Sequence, residues 1–184
     1  MVGEEQLINR CKQGEPSAQK ELYRKYAALL MGICLRYAPD RPAAQDILQE
    51  AFVKIFLSIK DYAAQGSFEG WMKRIVINTA ITNYHKNLKH RHHYDVDEMY
   101  DIPAENESFD RADFTHEELL NVIDQLPQGY KMVFNLFAVE GLKHREIAEM
   151  LGIDINTSKT QFLRARKFII KRLNELQKIG GRDE

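Results

Sequence analysis

Between Thr157 and Lys167 the chain carries Thr157, Ser158, Lys159, Thr160, Gln161, Arg164, Arg166 and Lys167, and no acidic residue. Ammonium, guanidinium, amide and hydroxyl groups at this density bind phosphates and base edges, and a carboxylate among them would repel phosphate. A second constellation begins at Ser67 and interleaves aromatics, amides and bases: Phe68, Trp71, Lys73, Arg74, Asn78, Asn83, Tyr84, His85 and Lys86. Aromatic faces stack on unpaired bases while cations hold the strand's phosphates, so this pattern points to single-stranded or melted DNA. A third group, Asp46, Gln49 and Glu50, falls within about 110° around a helix of ~3.6 residues per turn, a polar strip beside Phe52. Read alone it is a solvated face. As paired carboxylates for acid–base catalysis it lacks a nucleophile, a second cluster and a pocket-forming loop. His85, His90, His92 and His93 have no thiol or carboxylate at ligand spacing, so no metal site is expected. No Walker loop, GxGxxG, HExxH or GxSxG occurs, and no cofactor is expected.

These groups need helices to hold them. Ile147, Ala148 and Leu151 recur at helical spacing, Gly152 is a helix terminator, and Ile153 follows as an apolar plug. Asn156 or Thr157 offers a cap for a second helix, the acid-free one. Small Ala148 lets the two approach closely, as in a helix-turn-helix, a motif that serves repressors, response regulators and initiation factors alike. Upstream of it, Tyr130 to Val139 reads as one apolar helix ended by Gly141, and Thr115 caps HEELLNVIDQL. In the first half, apolar spacing predicts helices over Glu4–Gln13, Ala18–Tyr37, Ala43–Ile59 and Phe68 to about Leu88, the last capped by Ser67 after an Asp61–Ser67 loop. No alternating strand pattern appears.

The net charge of −1 hides a strong asymmetry: Asp95 to Glu118 sums to −9, which leaves +8 on the rest of the chain. The segment 93–114 has no sustained period and reads as a flexible, self-repelling acidic linker between two all-helical domains, 1–92 and 115–184. Two cysteines make no disulfide framework, MVGEEQLINR is not a signal peptide, and no apolar run approaches membrane-spanning length. A cytoplasmic protein without membrane insertion is expected.

In this order and spacing the three motifs resemble bacterial RNA polymerase sigma factors of the sigma-70 family, in the small extracytoplasmic-function (ECF) group. The resemblance spans nearly the whole chain. It rests on Asp46-x-x-Gln49-Glu50-x-Phe52, on Ser67-Phe68-x-x-Trp71 with Arg74, Ile75, Asn78 and Ala80, and on Glu146-Ile147-Ala148 with Leu151, Gly152, Ile153, Thr157, Lys159, Arg164, Ala165 and Arg166. Leu126–Pro127 and Glu140–Gly141 match as well. The resemblance implies an all-α fold: a sigma region 2 type four-helix domain and a sigma region 4 type helix-turn-helix domain, joined by the linker. It implies a subunit without catalysis. Asp46, Gln49, Glu50 and Phe52 would bind the β′ clamp helices of core RNA polymerase. Ser67, Phe68, Trp71, Lys73, Arg74, Asn78, Asn83, Tyr84, His85 and Lys86 would read and melt the minus-ten element of promoter DNA, with the Asp61–Ser67 loop taking a flipped base. Thr157, Ser158, Lys159, Thr160, Gln161, Arg164, Arg166 and Lys167 would read the minus-thirty-five element, with the second domain seated on the β flap. An anti-sigma factor is the implied regulator. The chain departs from the family at Thr82 and His85, where Asp and Arg are usual, at Ser158, usually apolar, and at Gln161, usually Arg. The competing reading is a stand-alone helix-turn-helix regulator with an N-terminal dimerisation or sensory domain.

Overall fold

The computed structural model describes residues 3–91 and 114–180, and all regular structure among them is helical. The chain divides into two compact units between Arg91 and His92. The expected linker, 93–114, lies outside the described residues except for Phe114.

The first unit holds α1 (Glu4–Lys12), α2 (Pro16–Tyr37), α3 (Arg41–Ser58) and α4 (Phe68–Arg91), with a single tight turn, Ile59–Asp61, after α3. Pro16 sits in the first turn of α2, where its missing N–H costs nothing. Asp40 caps α3 by accepting the Ala43 N–H at 2.8 Å. Helices α2, α3 and α4 pack on one another around Leu22, Leu30, Ile55, Ile59, Met72 and Val76, all fully buried. Each such aliphatic side chain contributes about 1.5–3 kcal/mol by leaving water. Cys11 and Cys34 are free and buried, and burial pushes the Cys34 thiol up to about 12.

The second unit holds α5 (His116–Asp124), α6 (Gln128–Phe134), α7 (His144–Leu151) and α8 (Ile155–Gly180). Thr115 and Glu118 close a reciprocal capping box at the start of α5. Val122, Leu126, Ala165, Ile169 and Leu173 form a core cluster that joins α5 to the length of α8. Gly152 ends α7 at φ 63°, a left-handed conformation that penalises a Cβ, and the next N–H, of Ile153, returns to the Ala148 carbonyl at 3.0 Å.

Two local expectations change. The helix read over Tyr130–Val139 is α-helical only to Phe134; Asn135–Val139 is a wider π turn, with the Glu140 N–H reaching the Asn135 carbonyl at 3.1 Å. In that turn Leu136 stays fully buried while Phe137 lies against His144, ring centroids 4.4 Å apart. The cap of α8 is neither Asn156 nor Thr157. It is Asp154, whose carboxylate accepts the Asn156 N–H at 2.7 Å. A carboxylate oxygen is the stronger acceptor there, and the helix starts two or three residues earlier than expected.

Candidate nucleic-acid interface

Along α4, Trp71, Arg74, Asn78, Thr82 and His85 fall within about 80° of one another at about 100° per residue. They form the outward face: Arg74, Asn78 and Thr82 are exposed, Trp71 and His85 half-buried. At its N-terminal end this face opens into a groove of about 460 Å³ lined by Asp61, Tyr62, Gln65, Ser67, Trp71 and Arg74 among others. The loop forming one wall is braced. Tyr62 donates its phenol proton to the Gly66 carbonyl at 2.8 Å, and Lys12 donates to the Tyr62 carbonyl at 2.8 Å. Ala64 within it holds φ 55°, a left-handed backbone costing about 1 kcal/mol. Ser67 caps α4 by accepting the Gly70 N–H at 3.0 Å, and a Cβ on Gly70 would lie 2.9 Å from that hydroxyl. Tyr62, Phe68 and Trp71 pack as a cluster with centroids 5.1–5.4 Å apart. Trp71 is therefore held with part of its ring in the groove.

Other residues assigned to this interface from sequence lie elsewhere. Phe68 is 2% exposed, a core residue packed against Tyr26, Tyr62 and Trp71. Lys73 is paired with Glu69 one turn back at 2.6 Å. Asn83 and Lys86 point to α3, where Asn83 donates to Glu50 at 2.9 Å and Lys86 lies 3.7 Å from the same carboxylate. Tyr84 is half-buried, its ring 5.8 Å from that of His85.

The strip on α3 divides too. Asp46 and Gln49 are exposed. Glu50 turns to α4, taking Lys54 at 2.9 Å as well as Asn83, and these hydrogen bonds, Lys54's first, hold its carboxyl below the usual range. Lys54 in turn donates to the buried Thr79 at 3.2 Å. Phe52, expected as a docking contact, is 3% exposed and packs on Tyr23 and Phe56. Its contribution is to the core.

On the hairpin of α7 and α8, Thr157, Lys159, Thr160 and Arg166 are exposed; Gln161, Arg164 and Lys167 are half-buried. Lys159 and Arg166 share one flank of α8, and Thr157, Gln161 and Arg164 the other. Ser158 is a correction: it is fully buried and meets Nδ1 of His144 at 3.0 Å across the hairpin, so its hydroxyl cannot face a ligand. His144 also contacts Phe137 and Phe162, and burial first, then the charge of Lys159, lowers its pKa. Thus His144 and Ser158 knit the hairpin through a polar contact. A second groove, about 310 Å³, runs beside α8 between Tyr130, Asn156, Thr157, Thr160, Gln161 and Arg164. Tyr130, Tyr62 and His144 were not singled out from sequence. A tyrosine three residues past a helix-starting proline was the one available sign for Tyr130.

Among the described residues no helix is long and apolar enough to cross a membrane. Two family models match the chain: Sigma-70 region 2 over residues 22–90 and Sigma-70, region 4 over residues 116–169. Among curated proteins, the RNA polymerase sigma-H factor of Pseudomonas aeruginosa is 28% identical over 94% of this chain and 95% of its own. The ECF RNA polymerase sigma-E factor of Haemophilus influenzae is 27% identical over 92% and 95%. Among solved structures, the sigma factor RpoE of Bartonella quintana, in complex with the anti-sigma factor NepR, aligns with a TM-score of 0.50 at 16% identity over 84% of this chain and 96% of that one, a likeness of fold.

Proposed function

The chain belongs to the sigma-70 family of RNA polymerase sigma factors, in its ECF group, and from that premise we propose how its residues share the work of initiation. It binds core RNA polymerase and directs promoter-specific transcription initiation through minus-ten and minus-thirty-five elements. The stand-alone regulator is not favoured, because models of both promoter-reading regions match one chain in family order.

The observation that carries the residue assignment is the outward face of α4 running into the braced groove. Trp71, Arg74, Asn78 and His85 track the non-template strand, and the groove beside Trp71 and Ser67 takes a base turned out of the stack. Asp46 and Gln49 are the exposed docking residues for the β′ clamp helices, and Glu50 sets α4 against that helix. In the second domain, 115–184, Lys159 and Arg166 on one flank of α8 and Thr157, Gln161 and Arg164 on the other straddle the major groove, with Thr160 and Lys167 between them. The domain's first helices seat on the β flap. The subunit has no catalysis of its own and works in the cytoplasm. Its inhibitor is an anti-sigma factor, the kind of partner with which the Bartonella quintana protein was solved.

Purified core polymerase, the full chain and a promoter library provide the test. Specific initiation that depends on both elements is the expected outcome. Tight operator binding without association with core would overturn it.

A further inference from the structure

Arg164 is half-buried at the edge of the α8 groove, and its side chain meets a phenol oxygen: Nη1 donates to the hydroxyl of Tyr130 at 3.4 Å. Among the described residues no carboxylate lies within ion-pair distance of it. We propose that Tyr130 is a positioning residue for minus-thirty-five recognition, holding the Arg164 guanidinium in reading orientation without cancelling its charge.

The ring of Tyr130 packs on the cluster of Val122, Leu126, Ala165, Ile169 and Leu173. Its tip is therefore fixed relative to α8, and Ala165, beside Arg164, is part of what fixes it. A carboxylate in the same place would hold the guanidinium more strongly, but it would neutralise the cation and set an anion against DNA phosphates. A phenol accepts one N–H and leaves the other donors and the full positive charge for the ligand. The phenol's own proton remains available in a groove walled by the amides and hydroxyls of Asn156, Thr157, Thr160 and Gln161. An arginine ordered before binding loses less rotamer freedom on contact, and its fork meets one base-pair edge rather than several. The device thus acts on discrimination between sequences more than on general attraction to DNA.

This inference rests on α8 reading the upstream element. The experiment uses full-length chain with core polymerase on promoters that vary in the minus-thirty-five element, comparing Tyr130→Phe, Arg164→Ala and the double variant. Phenylalanine keeps the packed ring, and thermal unfolding checks that the fold is retained. Tyr130→Phe should lower initiation from preferred upstream elements about three- to tenfold, the worth of one hydrogen bond. It should flatten preference at the same base pairs as Arg164→Ala and add nothing in the Arg164→Ala background. Preference retained in Tyr130→Phe, or an equal loss with and without Arg164, overturns the inference alone. Should Arg164→Ala itself leave the preference intact, the assignment of Arg164 as a reader fails, and the inference with it.

Discussion

At His144 one imidazole meets two aromatic rings, a buried hydroxyl and a nearby ammonium. Its pKa lies below the ordinary 6.5, so the neutral ring is the folded form. The sign follows: the stability it contributes is complete above 6.5 and is lost as pH falls through the lower folded value. Unfolding of the second unit, followed from about pH 7.5 to about pH 5, should show falling stability, and His144→Phe should flatten that dependence. Upstream DNA binding adds an opposed control, since acidification ordinarily strengthens attraction to phosphate. Ser158→Ala should cost about 1 kcal/mol by leaving Nδ1 unpaired, measured by denaturant midpoint. The buried phenylalanines make a second residue-level contrast. Phe52→Ala or Phe68→Ala should lower the stability of the first unit by about 3–5 kcal/mol. Asp46→Ala should leave stability alone and reduce affinity for core polymerase. Equal stability losses for Asp46→Ala and Phe52→Ala would place Asp46 in the fold rather than the docking surface.

At the scale of the element, a seam of Glu50, Lys54, Thr79, Asn83 and Lys86 ties α3, the proposed docking helix, to α4, the proposed promoter-facing one. Glu50→Gln and Asn83→Ala should show coupling of a few tenths to about 1 kcal/mol in a double-mutant cycle of unfolding, as for partly exposed pairs. Additive effects would mean that the seam is incidental. This seam also marks where sequence reading stops. Most of the helices were legible from apolar spacing, because a buried face repeats at the helical period whatever it packs against; α5 and α8 were legible from capping residues and composition. The outward α4 residues Arg74 and Asn78 were legible as well. The bond between Asn83 and Glu50 was not legible, because a polar residue aimed at a neighbouring helix has the same local pattern as one aimed at solvent. The burial of Phe52, Phe68 and Ser158 depends on contacts made by distant residues, Tyr23, Tyr26 and His144, which periodicity does not encode. The π turn at Asn135 was hidden for a similar reason: it is set by where Leu136 and Phe137 must both go.

For the whole molecule, the acidic block is the largest electrostatic feature. Neutralising the acids between Asp95 and Glu118 would change a net charge of −1 into one near +9. At low salt the free chain should then bind DNA more tightly, with a steeper salt dependence. Unchanged affinity by titration at low ionic strength would remove the block as an electrostatic restraint. The division at Arg91 has a consequence of another kind. Each unit draws its buried core from one continuous stretch of chain, and helical folds with such local contacts form quickly. Synthesis of the 93 residues after Arg91 takes roughly 5–20 s at about 5–20 residues per second. For the part of that interval after residues 1–91 have left the ribosome, a nascent chain carries the proposed docking and promoter-facing helices with no upstream reader. Any engagement with polymerase on the ribosome would begin with half a sigma factor.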